Sequence, residues 1–285
     1  MDFDLLVQGP LNKTSLKGIP QALSQFNNIV LSHWDTDSLS ASLPEDLYVK
    51  AQDAASHICV TPLPDLATDT YQPLYGRNSD CTFFYSIIST YNGLKKCTSP
   101  YVVKMRSDES YTNFSPLKQK FLQDTRKMVC GNIFFKRWKG SPLHIGDHLF
   151  LASRESLLKA YETLIEAYSP SNYTEEVAFS SIRPEEEYNL EKKFEWCRLA
   201  PHLSGQETYT PESILANAYL NSCDVYPPVT DPATFMKYFD VVDINELSPY
   251  TARWVHGGCT YDSELSPFGS YSSIKVITTI EQLLS

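Results

Sequence analysis

Short apolar runs, each closed by polar or turn-forming residues, dominate the first hundred positions. Phe3–Val7 ends in Gln8-Gly9-Pro10, and Asn28–Ser32, centred on Ile29-Val30-Leu31, ends in His33-Trp34-Asp35. His57–Thr61 and Tyr101–Lys104 repeat the pattern. Branched runs of that length suit buried strands. Between the last two lies the clearest helix, Asn78–Lys96, with Phe83, Ile87, Ile88, Tyr91 and Leu94 at helical spacing and Gly93 near its end. Thr14–Phe26 reads as a helix despite Gly18 and Pro20, Leu39–Ala51 as irregular, and the Pro-, Asp- and Thr-rich stretch 62–76 as a loop. This β-α-β-β-α-β order predicts a mainly parallel sheet with helices on both faces.

Beyond Asp108 the pattern loosens. Ser115–Lys127 reads as a helix, Val129–Arg137 as a strand, and Leu143–Ala152 as a strand interrupted at Gly146-Asp147. Ser153–Tyr168 is a helix capped by Ser153, with Leu157, Leu158, Tyr161, Leu164 and Ile165 inward. Residues 169–211 are polar, with one helical piece near Glu185–Cys197, and Pro211–Asn221 is a short helix carrying Glu212 in its first turn. Tyr238–Val242 and Ile274–Thr278 are late strands, and Glu281–Leu284 a final turn.

The 285 residues suit one large domain, and neither repeats nor linkers divide them. A content of 42% hydrophobic and 20% charged residues argues against disorder. The net charge of −10 makes nucleic acid a poor partner. Tyr (18 residues) and Trp (4) offer flat faces with polar edges, suited to sugars. Seven scattered cysteines without a CxxC point to reduced thiols and a cytoplasmic setting. Asp2 and Asp4 stand where a signal peptide would be basic, and no run approaches the ~20 apolar residues of a membrane span.

The most telling stretch is Tyr101-Val102-Val103-Lys104-Met105-Arg106-Ser107-Asp108-Glu109, an apolar strand that breaks abruptly into charge. In open α/β sheets the C-terminal ends of strands line the ligand crevice. Asp108 and Glu109 would be hard oxygen ligands there, suited to Mn²⁺ or Mg²⁺ carrying a phosphate; the alternative is a solvated polar turn. The six histidines show no HExxH, and His144 with His148 makes an incomplete zinc site.

Four pieces, in order, resemble the WavE-type lipopolysaccharide-synthesis family. They are Val7-Gln8-Gly9-Pro10, Ile29–Trp34, Arg77-Asn78 running through a helix to Lys95 and on into Tyr101–Asp108, and His144-Ile145-Gly146-Asp147-His148-Leu149-Phe150. The resemblance covers roughly residues 3–155, plus Pro211-Glu212. It implies a single α/β, GT-A-like glycosyltransferase domain (1–285) with a mainly parallel central sheet. In such enzymes an Asp-x-Asp motif after a central strand holds a divalent metal on the donor's diphosphate. Here Arg106 stands where the first Asp would be, leaving Asp108, with Glu109, for the metal, and Arg106 as a possible direct partner of the diphosphate.

Read on that pattern, Gln8 is an amide reader of the base beside a Gly9-Pro10 turn, and Asp35, with Asp37 competing for the role, accepts from ribose or base. Arg77, Asn78, Lys104 and Arg106 lie on the donor side. His256, followed by two glycines, stands where such enzymes often supply a late metal ligand. Deprotonation of the acceptor falls to Asp147, with Glu212 as second candidate. The expected reaction moves a sugar from a UDP- or GDP-linked donor to a glycan acceptor hydroxyl, with 1–155 holding the nucleotide and 156–285 the acceptor. Two rivals stand beside it: a glycoside hydrolase pairing Asp108 with Asp147, and a non-catalytic carbohydrate-binding protein.

Overall fold

The computed structural model describes residues 1–9, 19, 22–34, 45–61, 78–132, 145–167, 211–225, 231–247 and 249–251. Its strands are β1 (Phe3–Gln8), β2 (Asn28–Trp34), β3 (His57–Thr61), β4 (Tyr101–Arg106), β5 (Glu109–Tyr111), β6 (Met128–Gly131), β7 (Leu149–Ser153), β8 (Phe239–Val242) and β9 (Pro249–Thr251). The helices are α1 (Glu45–Ala54), α2 (Asn78–Lys96), α3 (Ser115–Gln123), α4 (Arg154–Ala167), α5 (Pro211–Ser222) and α6 (Pro232–Tyr238).

Seven strands form one sheet in the order β3-β2-β1-β4-β7-β6-β8, and β5 pairs with β9 in a separate small one. In the large sheet β7 runs antiparallel to both its neighbours, while the other pairings are parallel. This is the α/β architecture with a mainly parallel central sheet that the sequence led us to expect. The antiparallel β7 was not foreseen, because strand direction is set by pairing and leaves no mark on an apolar run.

The twofold alternation of a strand divides the apolar residues between two cores. Leu6, Val30, Val102 and Phe150 face one side and pack with α2, α4 and α5. Leu5, Val7, Met105 and Leu149 face the other and pack with α3. Asp4, the second residue of β1, is fully buried, and its carboxylate accepts from Thr98 N–H (2.6 Å), Ser99 N–H (2.9 Å), Ser99 Oγ (2.7 Å) and Asn28 Nδ2 (2.9 Å). Burial works to raise its pKa, but these donors outweigh it and hold the group below the ordinary value. The clamp fixes the turn that feeds β4.

Gly93 lies inside α2, where an added Cβ would come within 2.3 Å of Leu6 Cδ1 and 2.9 Å of Ser32 Cβ. A larger residue would push the helix off β1 and β2. Ser153 caps α4 as expected, its Oγ accepting from Ser156 N–H at 3.4 Å.

Several expectations need correction. The stretch read as irregular contains α1 (Glu45–Ala54), whose Val49 is 45% exposed. Helix α6, capped by Asp231 through Ala233 and Thr234 N–H groups, and the three-residue strands β5 and β9 were missed because they are too short for periodicity to register. β4 continues through Arg106 because register with β1, not apolarity, ends it. Within the predicted Thr14–Phe26 helix, Leu23–Gln25 forms a 3₁₀ turn. The predicted loop 62–76, the helical piece near 185–197 and the late strand and turn of 274–284 lie outside the described residues.

Candidate functional site

The parallel strands end in step. Gln8, the last residue of β1, registers with Ser32 of β2 and Arg106 of β4. Beyond them Gly9 N–H donates to Ser32 O (3.0 Å) and Ser107 N–H to Gln8 O (2.8 Å). Gly9 has φ of +119°, and a Cβ there would meet Ser107 Oγ at 2.7 Å, so glycine alone lets the two turns lie against each other. Because β7 is antiparallel, its starting end reaches this same edge, and Arg106 N–H donates to His148 O at 3.0 Å. That reversal brings Asp147 and His148 beside the charged end of β4.

Lys104 shares its face with Leu6 and Phe150, its register partners, and is 1% exposed. Its Nζ donates to the main-chain oxygen of Asp147 at 2.5 Å and lies 5.5 Å from the centre of the Phe150 ring. Burial pulls its pKa down to about 8, against the pull of the Asp147, Glu109 and Asp108 carboxylates.

Arg106 turns sideways onto Asp108. Nε donates to Oδ1 and Nη2 to Oδ2, both at 2.9 Å, and the two side chains are 30% and 24% exposed, within reach of a ligand. Burial opposes the guanidinium's charge, but the Asp108 bonds and charge prevail and raise its pKa. Glu109, in β5, turns inward. Its Oε1 meets His148 Nδ1, its Oε2 accepts from Tyr111 OH at 2.8 Å, and it is 1% exposed. The other ring nitrogen of His148, Nε2, lies 3.7 Å from Asp147 Oδ1.

Three residues expected to meet ligands have protein partners in this structure. Asp108 and Glu109 were expected as metal ligands, yet both oxygens of each carboxylate already accept or pair within the protein. Among the described residues no three His, Cys, Asp or Glu side chains are grouped to hold an ion. As arranged, this donor set does not fit Mn²⁺ or Mg²⁺. Gln8 was expected to read a base, but its Nε2 donates to Ser89 Oγ (2.9 Å) and its Oε1 accepts from Ser86 Oγ (3.3 Å), fastening β1 to α2.

Glu212 is half-buried in the first turn of α5, whose main packing partner is α4. Asn78 opens α2. Pro10, Asp35, Arg77 and His256 lie outside the described residues. Sequence reasoning missed the Tyr111–Glu109–His148 chain altogether. The adjacency of His148 to Asp147 was a signal; the 39 positions between His148 and Glu109 concealed the rest.

The chain belongs to the WavE lipopolysaccharide synthesis family, whose pattern matches residues 4–193. That span contains the whole cluster around Arg106 and Asp147. No curated protein sequence matches it. Among solved structures, mouse xyloside xylosyltransferase 1 is similar at 12% identity, with 86% of each chain covered and a TM-score of 0.37. Glucosyl-3-phosphoglycerate synthase from Mycobacterium tuberculosis, in complex with Mn²⁺, UDP and phosphoglyceric acid, is 10% identical over 80% of each chain, with a TM-score of 0.33. Mannosyl-3-phosphoglycerate synthase from Rubrobacter xylanophilus is 11% identical over 58% of this chain and 59% of its own, at 0.34.

Proposed function

We propose that this protein is a glycosyltransferase that moves a sugar from a nucleoside-diphosphate donor, UDP- or GDP-linked, to a hydroxyl of a glycan acceptor. The observation that carries the reading is the convergence of Arg106, Lys104 and Asp147 at one sheet edge, beside the Gly9 turn, in a chain of a lipopolysaccharide-synthesis family. Two cations and a separate carboxylate are the groups that sugar transfer needs.

The division of labour follows from the bonds. Asp108 occupies Nε and Nη2 of Arg106, leaving the Nη1 hydrogens for a diphosphate oxygen. Lys104 braces the Asp147 main chain and adds positive charge behind it. Asp147 accepts the acceptor's proton as the hydroxyl oxygen bonds to the sugar's anomeric carbon. The bond from that carbon to the diphosphate breaks, and its electron pair leaves with the nucleoside diphosphate. Since the described carboxylates do not fit a divalent ion, no step is assigned to one.

In this reading residues 1–155 serve the nucleotide and 156–285 the acceptor. A cytoplasmic setting rests on the thiols: Cys59, Cys97, Cys130 and Cys223 are free, and burial pushes Cys97 up to about 12. Among the described residues no helix is long and apolar enough to cross a membrane. The hydrolase alternative needs Asp108 to act on the sugar, and its grip by Arg106 counts against that role.

Thermal shift with UDP and GDP tests the proposal. A nucleotide at about 100 times its dissociation constant adds about 2.7 kcal/mol of stability, readable as a clear rise in Tm. A chain indifferent to both at millimolar concentration is not this transferase.

A further inference from the structure

The Tyr111–Glu109–His148 chain has no part in the reaction as drawn above. A buried carboxylate and imidazole are a costly filling for a core, since apolar residues of similar volume would serve packing as well or better. Their arrangement has a direction. Side-chain exposure rises from 1% at Glu109 through 5% at His148 to 23% at Asp147, so the chain leads from the interior to the crevice. Each ring nitrogen faces one carboxylate: Nδ1 meets Glu109, and Nε2 lies 3.7 Å from Asp147 Oδ1. Glu109 is itself held by Tyr111 OH at 2.8 Å.

The backbone around Asp147 is equally constrained. Lys104 Nζ takes the Asp147 carbonyl, and Arg106 N–H takes that of His148. With its main chain pinned, Asp147 moves by side-chain rotation; His148 Nε2 lies beside its carboxylate, on which the charges of Lys104 and Arg106 also act. A separation of 3.7 Å exceeds a hydrogen bond, but such contacts in ligand-free sites commonly close when substrate binds.

We propose that Tyr111, Glu109 and His148 form a positioning relay that aims the Asp147 carboxylate at the acceptor hydroxyl. Glu109 and Tyr111 fix the ring, and with a proton on each ring nitrogen Nε2–H donates to Asp147 Oδ1 once an acceptor arrives, holding the carboxylate toward the hydroxyl. His148 is a positioning residue, acting through Asp147. The inference deepens the transferase reading and rests on it.

Two measurements on the full chain test it. The first is ¹H–¹⁵N NMR of the imidazole rings, six in all, with His148 assigned by its loss in His148→Phe. A far-downfield Nδ1 proton that vanishes in Glu109→Gln, on a ring that also carries a proton at Nε2, is expected; a ring protonated at one nitrogen alone overturns the relay. The second pairs turnover with nucleotide affinity: UDP or GDP release from a panel of UDP- and GDP-sugars, beside calorimetry with UDP and GDP. His148→Phe should cut turnover by roughly 10²-fold, the scale of acid–base catalysis, with nucleotide affinity close to wild type; its Tm should fall, since Glu109 stays buried with one partner fewer. His148→Gln, whose amide can still reach Asp147, should recover part of the loss. Should Glu109→Gln fail to fold, Tyr111→Phe removes one bond to Glu109 and should lower turnover more mildly. Unchanged turnover in His148→Phe, or turnover and affinity falling together, refutes the relay while leaving the transferase. If wild-type protein binds neither nucleotide, the transferase reading fails and the relay with it.

Discussion

Arg106 holds both carboxylate oxygens of Asp108, two positions further on, at 2.9 Å each. A motif position expected to carry an acidic metal ligand thus carries a cation that occupies the next acid. The pair is net neutral, so its value to a diphosphate lies in a guanidinium already oriented and still holding free hydrogens.

Arg106→Ala should therefore weaken UDP or GDP affinity at least tenfold, the scale of one or two charge-assisted hydrogen bonds (roughly 1.5–3 kcal/mol). Arg106→Lys should restore little, because an ammonium lacks the fork. Calorimetry reads both. Mn²⁺ added without nucleotide should shift Tm by less than about 1 °C, since an ion stabilises only by binding and these carboxylates are engaged. A large shift from Mn²⁺ alone would return Asp108 to the metal.

Asp147→Asn keeps size and hydrogen bonding but cannot accept a proton. Turnover should fall by roughly 10²–10⁴-fold while nucleotide affinity stays near wild type. Joint loss of binding and turnover would put Asp147 on the donor side instead. Loss of neither would pass the role to Glu212.

Gly93→Ala reverses an ordinary rule. In an exposed helix the change stabilises by about 1 kcal/mol. Here the new methyl would meet Leu6 and Ser32, and overpacking of this kind costs roughly 1–3 kcal/mol. Denaturant unfolding should show a lower midpoint with an unchanged slope. A more stable variant would mean that α2 can lift off the sheet without cost.

Lys104 predicts a pH effect. Its pKa falls from 10.5 unfolded to about 8 in the fold, chiefly through burial. Between those values the unfolded chain holds a proton that the folded chain has released, so this residue's contribution to stability grows as pH rises through the window. Below it, the buried charge weighs on the fold in full. Taking the pH from about 7 to about 10 should raise the Tm of wild type relative to Lys104→Met by roughly 3–6 °C. A flat difference would show that Lys104 does not titrate there.

Strands and helices whose patterns are long enough to repeat can be read from the chain alone. Phe3–Val7, Asn28–Ser32, Asn78–Lys96 and the start of β4 are legible because burial on a sheet or helix face imposes a period on the residues themselves. The charged break after Met105 was legible too, since charge must leave a buried strand where it reaches the crevice. Which charged groups meet depends on the folded arrangement of the strands. The reversal of β7 carried Asp147 and His148 to the end of β4, and the short β5 turned Glu109 inward instead of toward a ligand. Gln8 bonds Ser86 and Ser89 because the alternation of β1 aims it at α2. Such pairings join residues tens of positions apart, and their bonds depend on strand direction and register, which no local pattern records.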